Sequence, residues 1–137
     1  MTPSPSLVFE EAAAPGVPAV AAVPAVPAPR EWQAACRLTD LLPERGACAL
    51  FDGAQIALFR LWDDRVYAVG NRDPSTGAQV VSRGLVGTRG GRRTVASPLH
   101  KQVFDLVSGD CLSDPAVPAL PTWPVRVRDG VVEVGLR

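Results

Sequence analysis

VASPLHKQVFDLVSGDC, residues Val95 to Cys111, is the stretch from which the rest of the chain is read. Pro98 has no N–H to give a ladder, so SPLHK reads as a loop. Beyond it Val103, Asp105 and Val107 alternate with Phe104 and Leu106, the period of a strand with one covered face, and Ser108-Gly109 turns the chain. Immediately upstream RTVA leads into this loop, and further upstream VYAVG runs into another polar loop, GNRDPSTGA, opened by Gly70. Two polar loops therefore frame the middle of the chain. Their carboxylates have local explanations: Asp73 precedes Pro74 in a turn, and Asp105 falls on the polar face of its strand.

Outward from this centre the signals are all of hairpins. WQAACRL reads as a first strand, and Thr39 or Asp40 offers an N-cap for a single helical turn through Leu41 and Leu42, stopped around Pro43 and Gly46. ACALF and AQIALFRL flank Asp52-Gly53, a pair suited to a two-residue type I′ turn. That register sets Ala49 against Ile56 and Ala47 against Leu58. The second of these strands is apolar on both faces, Ile56 and Leu58 on one and Ala57 and Phe59 on the other, which places it in the middle of a sandwich or barrel. Asp63-Asp64 turns the chain into RVYAVG. SDPAVPALPTWP is an irregular, proline-punctuated connection. In the last hairpin Trp123, Val125 and Val127 lead to Asp129-Gly130 and return through Val132, Val134 and Leu136. This pairs Val127 with Val132 and Val125 with Val134, and sets Arg126 opposite Glu133 on the solvent face. Short strands, tight turns and almost no helical period predict an all-β sandwich or barrel with one or two helical turns.

The first 30 residues are different. They hold seven of the 14 prolines and read AAAPGVPAVAAVPAVPAPR over much of their length. Prolines every few residues and no basic n-region argue against a signal peptide or membrane helix, and the segment is expected to be a disordered Ala/Val/Pro-rich extension. Residues 31 to 137 are expected to form one domain. Across 137 residues 14 basic side chains balance 14 acidic ones, so no electrostatic attraction to nucleic acid or anionic membrane is expected.

Three cysteines, Cys36, Cys48 and Cys111, stand without CxxC or CxH spacing, and read as small, partly buried apolar side chains. Their odd number and the lack of an export signal point to a reducing cytoplasm. His100, the single histidine, could serve as a general base, but no orienting partner is visible; the plainer reading is a loop histidine satisfied by hydrogen bonds. SRGLVGTRGGRR sets Arg83, Arg89, Arg92 and Arg93 among Gly84, Gly87, Gly90 and Gly91. It matches neither GxGxxG nor GxxxxGK[ST], and without aromatics in a neutral chain it is no nucleic-acid motif. It reads as a solvated mobile loop or, functionally, as a set of guanidinium forks facing an acidic partner surface.

The paired loops carry a resemblance. A Rieske iron-sulfur domain has CPLH running into a strand and CxH in an upstream loop. The same frame stands here with Ser97 at the second cysteine and His100 kept, and with Asn71 and Asp73 at the first cysteine and first histidine. VYAVGNRDPSTGAQVVSRGLVG followed by SPLHKQVFDLVSGDCL is similar to the small subunit of assimilatory NAD(P)H-dependent nitrite reductase, a Rieske-like family whose members commonly lack the cluster ligands. The likeness runs from Trp32 to Val134.

The resemblance implies the Rieske-like [2Fe-2S] domain fold without its cluster, a small antiparallel β-sandwich with two long loops converging at one tip. It also implies a cytoplasmic complex in which FAD, a [4Fe-4S] centre and sirohaem reside in a large subunit that reduces nitrite to ammonia. This chain, with no cofactor and no active site of its own, is then the accessory partner. It would dock through the two loops, with Asn71, Asp73, His100 and Lys101, and through the arginines at 83, 89, 92 and 93. Two alternatives are a Rieske-type ferredoxin electron carrier and a cluster-free β-sandwich that binds another protein. The ferredoxin reading meets a compositional obstacle, since a Rieske centre takes two thiolates and two imidazoles and the chain has one histidine.

Overall fold

The computed structural model describes residues 31–136, and the extension expected over 1–30 lies outside the described residues. Ten strands follow one another: β1 (Glu31–Arg37), β2 (Gly46–Phe51), β3 (Ala54–Arg60), β4 (Val66–Gly70), β5 (Leu85–Arg89), β6 (Arg92–Ala96), β7 (Val103–Asp105), β8 (Thr122–Trp123), β9 (Val125–Arg128) and β10 (Val131–Leu136). They form three antiparallel sheets, ordered β1-β10-β9, β2-β3-β4-β8 and β5-β6-β7.

The four-stranded sheet is the middle layer, because its central strands are apolar on both faces. Ala57 and Phe59 of β3, with Tyr67 and Val69 of β4, point into a core closed by Val95, Phe104 and Leu106. Ile56 and Leu58, with Val66 and Ala68, point the other way into a core closed by Val125, Val132 and Val134. Each such side chain taken from water contributes roughly 1.5–3 kcal/mol, so β3 and β4 anchor two hydrophobic cores at once. The expectation of a central, two-faced β3 is met.

Registers follow the turns. Asp52 and Gly53 have φ of 48° and 82°, and Asp129 and Gly130 of 52° and 78°, the left-handed pairs that two-residue hairpins require. Ala49 lies against Ile56, Ala47 against Leu58, Val127 against Val132 and Val125 against Val134, all as expected.

Several local expectations are corrected. The helical turn is a 3₁₀ segment at Leu38–Asp40 that begins two to three residues early, and neither Thr39 nor Asp40 is its N-cap. Asp40 instead reaches back from within the turn to accept the Arg37 N–H at 3.0 Å. The last strand pair is not continuous from Trp123: Pro124 cannot donate to β4, so the chain leaves the middle sheet there and re-forms as β9 in another, with Gly135 donating to the Pro124 carbonyl at 2.8 Å. Arg126 is not on an open solvent face. Its guanidinium bonds Glu133 at 2.5 Å beneath the ring of Trp32, 4.4 Å away, and both ion-pair partners are largely covered. The alternating strand after His100 is shorter than its pattern, since β7 ends at Asp105.

The arginine-rich segment is not a loop. Val81–Arg83 makes a 3₁₀ turn, and Leu85 to Ala96 is the β5–β6 hairpin, closed by Gly90 and Gly91 at φ of 58° and 81°. Two adjacent left-handed glycines give a type I′ turn, and β6 then adds to β7 through Val95↔Phe104.

Candidate functional site

β4 and β6 both end in the polar loops singled out above, and the sheet order brings those ends together. Asp73, from the loop after β4, has 0 % of its surface exposed. One carboxyl oxygen accepts the Ser75 N–H at 2.8 Å and the other accepts the hydroxyl of Ser97, from the loop after β6. Ser75 Oγ reaches Gln102 Oε1 at 2.7 Å, so the two loops are joined twice. Each loop is also closed on itself, Asp73 N–H to the Ala78 carbonyl and Ser97 N–H to the Gln102 carbonyl, both at 2.8 Å. The convergence of two loops at one tip is therefore seen directly.

Asn71 is buried beside them and locks three elements. Its amide nitrogen donates to Gln55 Oε1 at 3.0 Å and to Cys48 Sγ at 3.5 Å, and its oxygen accepts the Ser82 N–H at 2.7 Å. Gln55, Cys48 and Ser82 belong to this site although nothing in their local sequence marks them. Cys48 and Gln55 are brought in by sheet pairing and Ser82 by the 3₁₀ turn at Val81–Arg83, from 11 to 23 residues away.

His100 is outside this network. It is exposed, as are Pro98, Leu99 and Lys101, and its imidazole meets no hydrogen-bond partner among the described residues, contrary to the expectation of a satisfied loop histidine. Lys101 has φ of 55° and carries the sharp bend out of the loop.

The arginines do not form one surface. Leu85 pairs with Ala96 beside the two loops, whereas Arg89 pairs with Arg92 at the opposite end of the same hairpin. Arg93 reaches Asp63 in the β3–β4 turn at 3.1 Å, which fixes that end as the one remote from Asp73 and Ser97. Arg92 lies 3.2 Å from Asp105. Arg83 alone of the four lies at the loop end, exposed. Arg83 thus lies with the two loops, while Arg89, Arg92 and Arg93 lie toward the far end of the hairpin.

Asp105 also departs from expectation. It is buried, not on a polar face, and accepts the Val107 and Ser108 N–H groups at 2.7 and 3.2 Å, holding the turn after β7. Among the cysteines, Cys36 and Cys111 are partly buried as expected but Cys48 is exposed, and all three are free thiols. Burial pushes the Cys36 and Cys48 thiols up, and for Cys36 the nearby Asp40 charge adds to it.

The four ligand positions therefore present an amide, a carboxyl, a hydroxyl and one outward imidazole. Three of the four are already engaged in hydrogen bonds with each other or with their neighbours. A [2Fe-2S] centre of the Rieske kind takes two thiolates and two imidazoles. These residues do not fit it, and no group of three or more His, Cys, Asp or Glu side chains among the described residues is placed to hold a metal ion.

Comparison with known proteins gives four findings. The family model for the Rieske-like [2Fe-2S] domain matches residues 31–135. The chain is 44 % identical over 105 residues to the nitrite reductase (NADH) small subunit of Salmonella typhimurium, covering 76 % of this chain and 96 % of that one. The solution structure of a nitrite reductase [NAD(P)H] small subunit from Erwinia carotovora superposes with a TM-score of 0.67 at 40 % identity, over 77 % of this chain and 82 % of that one. The fourth finding is of a different kind: the nitrite reductase [NAD(P)H] large subunit of Klebsiella oxytoca is 45 % identical over 107 residues, 77 % of this chain but 11 % of that polypeptide.

Proposed function

The chain belongs to the Rieske-like [2Fe-2S] domain family, in its nitrite reductase small-subunit branch, and from that premise we propose that it is the small subunit of an NAD(P)H nitrite reductase, acting by docking on the large subunit. The observation that carries this is the Klebsiella polypeptide. A stretch like this whole domain is there part of the large subunit itself, so the two are partners whether joined by a peptide bond or by an interface.

The residues on this chain support an accessory role. Its loops hold each other through Asp73 and Ser97, so the tip is braced without metal. Transfer of electrons through this subunit would need a redox centre that these side chains do not form. This supports reading the subunit as non-catalytic. The subunit supports the FAD, [4Fe-4S] and sirohaem machinery that the resemblance assigns to the large subunit, and the complex works in the cytoplasm. No helix among the described residues is long and apolar enough to cross a membrane.

Co-expression of the full chain with a sirohaem-containing large subunit tests the reading. Co-purification, with NADH- or NADPH-dependent nitrite turnover higher in the complex than in the large subunit alone, is the expected result. Unchanged turnover and no co-purification end the proposal. Stoichiometric iron and acid-labile sulfide in the purified chain would favour the electron-carrier alternative.

A further inference from the structure

The first and last described strands are neighbours. Glu31 pairs with Leu136 and Trp32 with Gly135, so both ends of the folded unit leave from one corner. That corner abuts the point where the chain changes sheets, because Gly135 donates to the Pro124 carbonyl and Trp123 precedes it. From Trp123 a groove of about 400 Å³ runs past Leu120 and Pro121 to Gln55, Arg72 and Gln79. Its wall is held in place, since Leu120 N–H donates to the Gly109 carbonyl and Gly70 N–H to the Pro121 carbonyl, each at 2.8 Å. Arg72 is exposed, its guanidinium lies over Gly77, and it has neither ion pair nor side-chain hydrogen bond among the described residues.

We infer that this groove, between Trp123 and Arg72, is where the large subunit seats a segment carrying an apolar side chain and a carboxylate. The inference rests on the small-subunit reading. In the Klebsiella polypeptide a stretch of this length is joined to the rest at one or both of its ends. Since the ends of this fold are adjacent, either connection tethers the large-subunit portion at the same corner, beside the groove. A tether of a few residues raises the local concentration of whatever it carries, and favours contact with the nearest complementary surface. Trp123 and the prolines supply a dry floor, and the unpaired Arg72 supplies a planar fork suited to a carboxylate. The other groove, about 360 Å³ between β1 and β2, offers no such cation, and Asp40 on its rim already holds the Arg37 N–H. The cationic hairpin end at Arg89 is remote from the corner.

The test uses the full chain co-expressed with the large subunit. With p-benzoylphenylalanine in place of Ala119, irradiation is expected to cross-link the chain to the large subunit, and the same label in place of Arg89 is expected not to. Arg72→Glu is expected to weaken binding roughly tenfold or more, as reversal of a covered interfacial charge does, while Arg89→Glu changes it less than about twofold. Cross-links from position 119 to a second copy or to residues 1–30, or unchanged affinity in Arg72→Glu while the wild-type chain binds, overturn the groove and leave the accessory role standing. Failure of the wild-type chain to bind overturns both.

Discussion

Replacing Ser97 by alanine removes one oxygen from the tip and adds nothing. The methyl group fits where the Cβ already is, so no clash confuses the result. What is lost is the hydroxyl that donates to Asp73, a carboxyl with 0 % exposure whose other oxygen is taken by the Ser75 N–H. Water has no open path to the orphaned oxygen. Leaving a buried acceptor unsatisfied costs about 1–3 kcal/mol, so a loss of about 2 kcal/mol is expected. For a domain of this size that moves the urea midpoint down by about 1–2 M and the melting temperature by on the order of 10 °C. Circular dichroism in a urea series measures it, and Asp73→Asn with and without Ser97→Ala completes a cycle whose coupling term should exceed about 0.5 kcal/mol. If Ser97→Ala unfolds within about 0.5 kcal/mol of the wild type, the two loops are not braced by this contact and the account of the tip fails.

Gly46→Ala should destabilise by about 3 kcal/mol, the upper range for forced overpacking, because a Cβ there would stand 2.1 Å from the Ser82 carbonyl oxygen and 2.6 Å from the Phe59 ring; chemical denaturation within about 1 kcal/mol of wild type would contradict that packing. Burial alone would raise the Asp63 carboxyl, but the Arg65 N–H and the Arg93 and Arg65 guanidiniums outweigh it and hold it below its ordinary value. A depressed carboxyl stabilises the fold above its unfolded pKa, and that contribution is lost as pH falls through the folded value. Arg93→Gln should therefore cost under about 0.5 kcal/mol at neutral pH, the pair being well exposed, with the difference fading below the ordinary carboxylate range in a pH series of urea midpoints. Because burial raises the Cys36 and Cys48 thiols, iodoacetamide near pH 8 should label both more slowly than it labels glutathione, and mass spectrometry showing equal rates would refute this.

The parts of this fold that sequence discloses are those set by neighbours a few residues apart. Asp52-Gly53 and Asp129-Gly130 fix their hairpins because a two-residue turn allows one register, and the two-faced apolar run of β3 admits one position in the sheet. The likeness at SPLH and GNRD then supplies the family. What stays hidden is set at a distance. Asp73 reads as a turn former, and that is half of its role; its bond to Ser97 joins residues 24 positions apart. The arginine segment conceals a hairpin because its exposed face carries little apolar alternation, and only its Gly90-Gly91 pair hinted at the turn. Reading that segment as one loop also merged Arg83 with Arg89, Arg92 and Arg93, which the hairpin places at opposite ends. At Pro124 the alternation of Trp123, Val125 and Val127 persists through a change of sheet, since both sheets happen to need the same period.

The pairing of β1 with β10 has a consequence for biosynthesis. During translation β1 waits, its ladder groups unmatched, until β10, made about a hundred residues later, clears the ribosomal tunnel. The sheet that seals the second core can close only then, so this layer forms late, after the rest of the domain has been made. Over that interval the nascent domain offers an open strand and the bare apolar face of β3 to holdase chaperones, and ribosome stalling near residue 130 should prolong their engagement.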